Sequence, residues 1–266
     1  MRRLRRLIQK RSLRWSEAVC VLEGPDLVLA ALDSAVEFEA IFVDAAQASA
    51  GEVADVVARA SSSSVRVFAL APGVLEKVAD AQTPQPVLAA VRLPVTDLNE
   101  VPADGLVLVL HDVRDPGNAG TIIRSADAAG ARAVVFTGQS VDPFNPKTLR
   151  ATAGSVFHLP VAVSTLDETL AHFAARGART FATVVHGGAS LRSVDLTGPS
   201  VVVIGNEASG LDEAAIAMCQ DRLSIPMTGA SESLNAGVAA SLIAFEALWQ
   251  REDATSSPPR PSLEGS

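Results

Sequence analysis

The sequence predicts an α/β protein of two domains, the second of them built on a parallel β-sheet. Runs of Val, Ile and Leu alternate along the chain with segments whose apolar residues recur at helical spacing. In the second half these runs are nearly continuous, which is typical of strands that helices cover on both faces. A break containing prolines and acidic residues separates two such series, and 266 residues suffice for two domains of ordinary size.

The first series predicts a small α/β domain within residues 1–94. Its predicted strands are AIFVDAA, VRVFAL and PVLAAVRL, each bounded by polar residues or by Pro and Gly. Two segments between them, EGPDLVLAALDSA and GEVADVVARASSSS, have apolar spacing suited to helices that pack on a sheet. Residues 95–105 are expected to form a linker.

The second series predicts the larger domain, over residues 106–252. Its predicted strands are LVLVLHDV, ARAVVFTG, RTFATVV and SVVVIG, and NAGTIIRSADAAG is predicted as a helix. A last segment, AGVAASLIAFEALW, is apolar on nearly all sides, which is typical of a helix buried in a core or against a partner. Residues 253–266 are rich in Ser and Pro, and we expect a disordered tail.

Composition excludes several classes of protein. No apolar run is long enough to span a bilayer, and the arginine-containing start lacks the apolar stretch of a secretory signal. Two distant cysteines and four scattered histidines match no disulfide framework or metal spacing, so no metal site is expected. We therefore expect a cytoplasmic protein in a reducing compartment.

The charge of the chain is unevenly distributed. The net charge is −8, yet residues 1–14 hold seven bases and no acid. Such a basic arm can reach phosphates while the acidic body stays soluble, or it is a flexible, solubilising terminus. The bases are Arg2, Arg3, Arg5, Arg6, Lys10, Arg11 and Arg14.

Three glycine-bearing loops that follow predicted strands are the candidate site, because ligands of open parallel sheets bind at the carboxyl ends of strands. In RDPGNAGTIIRSADAAG, Asn118 starts a helix and Arg124 follows nearly two turns later, either with a partner or on the solvent face. In VVVIGNEASGLD, Glu207 holds a cation or a hydroxyl, or it is a helix N-terminal carboxylate.

The third loop, IPMTGASESLNAGVAASLIAFE, opens on a polar cluster. Ser231 or Ser233 is predicted to cap the helix that follows. A cap needs one polar residue, whereas four of the five residues from Ser231 to Asn235 are polar. We therefore expect this cluster to form part of a site as well.

Common enzyme signatures are not found in the sequence. The first loop contains G-x-x-G but not G-x-G-x-x-G, so a dinucleotide fold is weakly supported. No phosphate-binding Walker A loop, H-E-x-x-H zinc motif or G-x-S-x-G nucleophile elbow occurs in the chain.

Taken together and in this order, the three loops resemble the motifs of the SpoU (TrmH) family of RNA 2′-O-ribose methyltransferases in the SPOUT superfamily. VDPFNPKTLRATAGSVFHLPV resembles the family's loop between the first two of them. The resemblance covers about Gly105 to Trp249. Departures are modest: Ala208 stands where glycine is common, Ala236-Gly237 where Val-Ser is frequent, and Phe245 where tyrosine is common.

The first domain resembles the L30e-like RNA-binding module that often precedes this catalytic domain. The matching segments are VLEGPDLVLAAL, AIFVDAA, VRVFAL and TPQPVLAAV, although Gln85-Pro86 replaces the family's usual Gln-Gly.

The resemblance implies a parallel sheet whose C-terminal part threads into a deep trefoil knot, and a homodimer through the catalytic domain. It implies S-adenosylmethionine bound in the knot, chiefly by backbone groups. The implied cofactor-binding positions are Gly205, Ile225 and Leu234, with Asn206, Met227 and Asn235 as neighbours.

The resemblance also implies a catalytic set in which Arg124 is assisted by Asn118, Glu207, Ser233 and Asn235. Arginine stays protonated in proteins, so a role as general base strains its chemistry. Our hypothesis is that Arg124 clamps a phosphate and orients the ribose hydroxyl, while the proton leaves to a phosphate oxygen or to water.

The substrate is expected to be a structured RNA, with ribosomal RNA favoured over transfer RNA by the two-domain arrangement. Arg124 and four further bases, Lys147, Arg150, Arg5 and Arg6, are candidates for phosphate contact. Two other functions stay open from the sequence. One is a non-catalytic RNA-binding protein, which leaves the catalytic set unexplained, and the other is an oxidoreductase, which lacks its dinucleotide fingerprint.

Overall fold

The computed structural model describes residues 1–78 and 85–256, which form two β-sheets with helices packed on them. The predicted α/β class and the predicted parallel sheet of the second half are confirmed. None of the helices in the described ranges is long and apolar enough to cross a membrane.

The N-terminal sheet has four strands in the order β1-β4-β2-β3. Strand β4 pairs antiparallel with β1 and β2, whereas β2 and β3 are parallel. In chain order this part contains α1 (Arg2–Gln9), α2 (Arg11–Glu17), β1 (Val19–Glu23), α3 (Pro25–Leu32), β2 (Phe38–Asp44), α4 (Gly51–Ser62), β3 (Val67–Leu70) and β4 (Val87–Arg92).

The C-terminal sheet has seven strands in the order β7-β6-β5-β10-β8-β11-β9, and every neighbouring pair is parallel. Its elements are β5 (Leu106–His111), α5 (Pro116–Ala128), β6 (Ala133–Thr137), α6 (Pro146–Thr152), β7 (Val161–Val163), α7 (Leu166–Ala174), β8 (Arg179–Thr183), β9 (Ala189–Ser190), β10 (Ser200–Ile204), α8 (Glu213–Met218), β11 (Asp221–Ser224) and α9 (Ala236–Ser256). Alternate residues of its central strands face two separate apolar clusters, so both faces of the sheet are buried.

The long predicted elements are found with small shifts at their ends. Helix α5 begins at Pro116, two residues before the predicted segment, because Asp115 accepts a hydrogen bond from the Asn118 N–H at 2.8 Å and caps it. The short strands β1 and β11 were not predicted as strands.

The predicted tail begins too early. Helix α9 continues to Ser256, so residues 253–256 are helical rather than disordered. The rest of the predicted tail, residues 257–266, lies outside the described residues.

The basic N-terminus is folded, so the interpretation as a flexible terminus is wrong. Leu4 and Leu7 are buried against the N-terminal sheet together with Leu88 and Ala90. Apolar residues on one side of a basic helix are enough to hold it on a sheet, while its arginines remain in solvent. The arm therefore forms the helices α1 and α2.

A buried ion pair joins the two domains. The Arg14 guanidinium donates to Oδ2 of Asp142 through Nε at 2.8 Å and Nη2 at 2.5 Å, and both side chains are 3% exposed. The other oxygen of Asp142 accepts from Trp15 Nε1 and from the Phe144 N–H, each at 3.2 Å. Nη1 of Arg14 donates to the carbonyls of Leu7 and Ile8, so the polar groups of the buried pair have further hydrogen-bond partners.

Other contacts add to this junction. Arg150 of α6 forms an ion pair with Glu23 at the end of β1. Gly154 approaches α3 so closely that a Cβ there would lie 2.8 Å from the Ala30 Cβ. One apolar cluster also runs through both domains, from Leu22 and Val28 to Phe144. The domains are thus packed as one body rather than joined by the linker alone.

We expect the loss of one partner of the Arg14–Asp142 pair to destabilise the protein far more than replacement of both partners by apolar residues. Asp142→Ala leaves a buried, unpaired guanidinium and should lower the free energy of unfolding by about 3–5 kcal/mol in urea denaturation. Arg14→Met combined with Asp142→Leu should restore most of that loss.

Asp104→Ala is the matched control, because it breaks an exposed pair with Arg132 and should cost less than about 1 kcal/mol. Equal losses for Asp142→Ala and Asp104→Ala would show that the buried pair does not hold the domains together.

Candidate active site

A cavity of about 220 Å³ opens at the carboxyl edge of the C-terminal sheet. Strands β8, β10 and β11 run parallel in this part of the sheet and end in loops at this edge. Its walls therefore come from three separate stretches of chain, as expected for an open parallel sheet. The lining residues are Thr183, Val184, Val185, Ile204, Gly205, Asn206, Glu207, Ala208, Ser209, Gly210, Leu223, Ile225, Met227, Ser233, Leu234, Ala236 and Ala239.

The loop after β10 folds tightly back on itself. Asn206 and Gly210 exchange two backbone hydrogen bonds, at 3.1 and 2.9 Å. A Cβ on Gly205 would lie 2.5 Å from backbone atoms of both Gly210 and Leu211, so no larger residue fits there without movement of the backbone. The Asn206 side chain donates to the Asp112 carbonyl at 2.8 Å, which ties this loop to the end of β5.

Glu207 connects the second loop to the first. One of its oxygens accepts from the Asp115 N–H and from Asn118 Nδ2, both at 3.0 Å, and the other accepts from the Arg114 N–H at 3.2 Å. These donors lie at the start of α5, where free N–H groups favour a negative charge. Glu207 is thus a carboxylate at a helix N-terminus, but the helix belongs to another segment of the chain.

These contacts set the ionisation of Glu207. Partial burial acts to raise the pKa of its carboxyl. The hydrogen bonds from the Asn118 side chain and from the backbone N–H groups, including those of Asp115 and Arg114, outweigh burial, and the pKa lies below its ordinary value. Glu207 is therefore ionised at neutral pH and acts as an acceptor.

The third loop is attached through Asn118. Asn235 Nδ2 donates to Asn118 Oδ1 at 2.8 Å, so Glu207, Asn118 and Asn235 form a continuous hydrogen-bonded chain. This chain brings the three loops to one place.

The cap of α9 differs from the prediction. Asn235 caps the helix, since its Oδ1 accepts from the Val238 N–H at 3.2 Å. Ser231 donates instead to the Ser233 carbonyl at 2.9 Å, and Ser233 lines the cavity. The prediction of Ser231 or Ser233 as the cap was wrong, whereas Ser233 does lie in the site.

Helix α9 passes very close to α5. A Cβ on Gly237 would lie 3.2 Å from the Thr121 Cγ2, and the hydroxyls of Ser125 and Ser241 are 2.7 Å apart. Small residues on this side of α9 let the two helices approach. Helix α5 is equally close to α6, where a Cβ on Gly120 would lie 2.3 Å from the Ala151 Cβ.

Arg124 lies beside the cavity rather than in its wall. It is exposed on α5, and in the described chain its guanidinium has neither a hydrogen bond nor an ion pair. A free, planar donor set that faces solvent is suited to binding an anionic group.

Of the remaining predicted residues, most line the cavity. The lining residues among them are Gly205, Asn206, Glu207, Ile225, Met227, Ser233 and Leu234. Asn118 and Asn235 do not line the cavity; Asn118 bonds to the lining residue Glu207, and Asn235 bonds to Asn118. Lys147, Arg5 and Arg6 are exposed. Arg150 forms an ion pair with Glu23, and part of its side chain remains in solvent.

Sequence reasoning missed one wall of the cavity. Residues 183–185 at the end of β8 lie beside β10 and face the cavity. The predicted strand RTFATVV contained this signal, since its carboxyl end must reach the same edge as the end of SVVVIG. Among the described residues, no group of three or more His, Cys, Asp or Glu is placed to hold a metal ion.

Both halves of the chain match known protein families. Residues 105–245 match the SpoU rRNA Methylase family, and residues 1–89 match the MRM3-like substrate binding domain.

Two proteins similar to this chain are methyltransferases of 23S ribosomal RNA. A 23S rRNA (uridine(2479)-2′-O)-methyltransferase from Streptomyces viridochromogenes is 38% identical over 69% of this chain and 67% of its own length. The 23S rRNA (guanosine(2553)-2′-O)-methyltransferase RlmP of Bacillus subtilis is 34% identical over 68% of this chain and 72% of its own.

A solved structure matches nearly the whole fold. The SpoU methyltransferase AviRb from Streptomyces viridochromogenes, in complex with AdoMet, superposes with a TM-score of 0.86 and 29% identity. The superposition covers 94% of this chain and 97% of that one. The arrangement of the three loops around one cavity and the match over residues 105–245 lead to the same conclusion: the chain belongs to the SpoU rRNA methylase family.

Proposed function

We propose that this protein transfers a methyl group from S-adenosylmethionine to a ribose 2′-hydroxyl of ribosomal RNA. The observation that carries the proposal is the hydrogen-bonded chain of Glu207, Asn118 and Asn235, which assembles the three family motifs around one cavity. The activities of the two 23S rRNA methyltransferases to which the chain is similar support ribosomal RNA as the substrate class. Such a substrate places the protein in the cytoplasm.

The cavity fits the cofactor that the family uses. Ile225, Met227 and Leu234 offer apolar surface to a nucleobase, and Asn206, Glu207 and Ser233 offer polar groups at the rim. Gly205, which also lines the cavity, allows the loop after β10 to fold back on itself, since a Cβ there would meet the backbone of Gly210 and Leu211. When bound, S-adenosylmethionine supplies a methyl group on a positively charged sulfur.

The residues of this chain then have to position the RNA. Arg124, exposed and unpaired in the described chain, clamps a phosphate next to the target ribose and orients its 2′-hydroxyl. Glu207 is held by three N–H donors, so it serves as a fixed anchor for Asn118 and α5. The hydroxyl proton leaves to a phosphate oxygen or to water. Positioning of this kind supplies several kcal/mol of the barrier.

Further contacts with RNA phosphates come from Lys147, Arg150, Arg5 and Arg6. Lys147, Arg5 and Arg6 have no side-chain partner within residues 1–78 and 85–256, and all three are exposed. Arg150 retains part of its guanidinium in solvent beside its ion pair with Glu23. These bases are separated along the chain but lie on either side of the domain junction.

The protein assembles as a homodimer through α9. Val238, Leu242 and Trp249 of this helix are 47%, 42% and 52% exposed, and Phe245 lies between them with its ring centroid 6.0 Å from that of Trp249. The spacing of these residues places them on one side of the helix, opposite the buried alanines. An exposed apolar row of this size is typical of a protein contact.

The knot implied by the resemblance also belongs to this proposal. Strand β10 lies between β5 and β8, and after β11 the chain returns as α9 to pack against α5. This path is compatible with a C-terminal segment threaded through an earlier loop.

Methyl transfer tests the proposed reaction. Ribosomal and transfer RNA fractions are incubated with labelled cofactor, and the labelled nucleotide is mapped by its resistance to alkali. Label confined to ribosomal RNA is the expected outcome. Label in transfer RNA alone would move the substrate to that class, and no label together with no cofactor binding would contradict an enzyme of this kind.

Arg124 should affect methyl transfer without affecting cofactor binding, because it lies outside the cavity wall. We expect Arg124→Ala to lower the rate at least about a hundredfold and Arg124→Lys to give an intermediate rate, since lysine keeps the charge but not the planar fork. Cofactor affinity should stay at the wild-type value in both.

Arg132→Ala is the matched control for a lost surface arginine and should keep full activity. Wild-type transfer by Arg124→Ala would remove this residue from the proposed mechanism.

Glu207 should make stability depend on pH in the acidic range. Its pKa is lower in the folded than in the unfolded protein, so its contribution is complete above the unfolded value and is lost as the pH falls through the folded value. Urea denaturation of wild type and Glu207→Gln should show a difference in unfolding free energy that is constant near neutral pH and shrinks as the pH falls below about 5.

Glu232→Gln controls for removal of an exposed carboxylate, since Glu232 accepts no hydrogen bond within the described chain. If the Glu207→Gln difference stayed constant with pH, the anchor would not depend on the ionised carboxylate.

The dimer is tested by a charge in the exposed row of α9. We expect light scattering to give twice the chain mass of 27.6 kDa for the wild type and a single chain for Leu242→Glu. Val163→Glu, which places the same charge at an exposed valine of β7, should remain dimeric. A dimeric Leu242→Glu would exclude this face of α9 as the interface.

A further inference from the structure

Two stacked phenylalanines lie at the open edge of the N-terminal sheet, far from the cavity. The rings of Phe42 on β2 and Phe68 on β3 are 5.6 Å apart between centroids and nearly parallel, at 18°. Phe68 is 46% exposed although it is a large aromatic residue, and β3 is the edge strand of its sheet. An exposed aromatic ring that is held in place by a second ring is a preformed flat surface.

The aromatic pair and the domain junction lie at opposite ends of one row of paired residues in the N-terminal sheet. The pairing of the strands places Glu23, Leu88, Phe42 and Phe68 opposite one another in a single row across the sheet. Glu23, at one end of the row, is the residue bound by Arg150 of the catalytic domain. Three strand spacings of about 4.8 Å separate the ends, so Phe68 lies roughly 14 Å from the junction.

A basic helix lies on the same face of the sheet. Helix α1 packs against β1, and its leucines share an apolar cluster with Leu88 and Phe42. Its outer side carries Arg2, Arg5 and Arg6, and Lys10 follows its last residue; all four are exposed and have no side-chain partner in the part of the chain that the structure describes.

Two acidic groups beside α1 are neutralised by an arginine of that helix. Arg3 of α1 binds Glu39 and Glu17, each at 2.6 Å. The hydrogen bond from Arg3, opposed by partial burial and aided by attraction to Arg92 and Arg66, keeps the pKa of Glu39 below its usual range. Within the described residues, Arg2, Arg5, Arg6 and Lys10 remain as unpaired cations on the same face of the sheet as the aromatic pair.

We propose that Phe68 is a stacking platform for an unpaired base of the RNA substrate, with the outer arginines of α1 binding the adjoining phosphates. Exposed aromatic rings flanked by cations are the combination that binds single-stranded nucleic acid, because every base has a face that stacks and every phosphate carries a charge. The proposal rests on the proposed RNA substrate and adds a contact on the N-terminal domain.

The experiment measures binding of full-length protein to a fluorescein-labelled oligouridine of about 12 nucleotides, by fluorescence anisotropy. The same oligonucleotide paired with its complement is the second probe. Phe68→Leu keeps apolar volume but removes the ring, and it should weaken single-strand binding roughly fivefold to a hundredfold. Phe68→Trp should bind as well as the wild type, because it restores a stacking surface.

Duplex binding should change little in either variant, since paired bases cannot stack on the ring. Val163→Leu, at an exposed valine of the catalytic domain, is the matched surface control and should bind both probes as the wild type does. Wild-type single-strand binding by Phe68→Leu, or no binding by the wild type itself, would overturn the proposal. So would a change in oligomeric mass in Phe68→Leu, which would make this edge a protein contact.

Cofactor binding, measured on the same preparations, separates this proposal from the proposed function. Intact cofactor binding with weakened single-strand binding in Phe68→Leu supports both. If no preparation bound the cofactor while Phe68→Leu still lost the single strand, the proposed methyl transfer would fail and the stacking surface would stand.

Discussion

The candidate site depends on a chain of hydrogen bonds from Glu207 through Asn118 to Asn235. Each of the three residues comes from a different loop, and the loops are separated by 89 residues in one case and by 117 in another. The carboxylate ties the start of α5 to the end of β10, and the two amides tie α5 to the start of α9. The cavity lies where these three loops meet, and the contacts of Asn206 with the Asp112 carbonyl and of Ser125 with Ser241 add to their support.

Close helix contacts make this arrangement rigid. Helix α5 carries both Asn118 and Arg124, and it lies between α6 and α9 with no room for a larger side chain at Gly120. The same α6 carries Arg150, which binds Glu23 of the first domain. Helix α6 thus contacts both the N-terminal domain and the helix that holds the proposed catalytic arginine.

The sequence predicts the parallel sheet and the three loops because these are local patterns of buried strands followed by glycine. It does not predict which polar residue does what. Asn235 rather than Ser231 caps α9, because Ser231 is used by the Ser233 carbonyl within its own loop. The N-terminal arm has a basic composition, and one of its arginines, Arg14, is held by a partner, Asp142, that lies 128 residues away. Long-range pairs of this kind leave no mark on periodicity or charge.

The positions of the aromatic residues have an optical consequence. The chain contains two tryptophans and no tyrosine. Trp15 donates its indole N–H to Asp142 at the domain junction, and Trp249 lies exposed on α9. The tryptophan fluorescence of the protein thus comes from two places, one that senses separation of the domains and one that senses burial of the last helix. The two events shift the emission wavelength in opposite directions, since the first exposes a half-buried indole to water and the second removes an exposed indole from water.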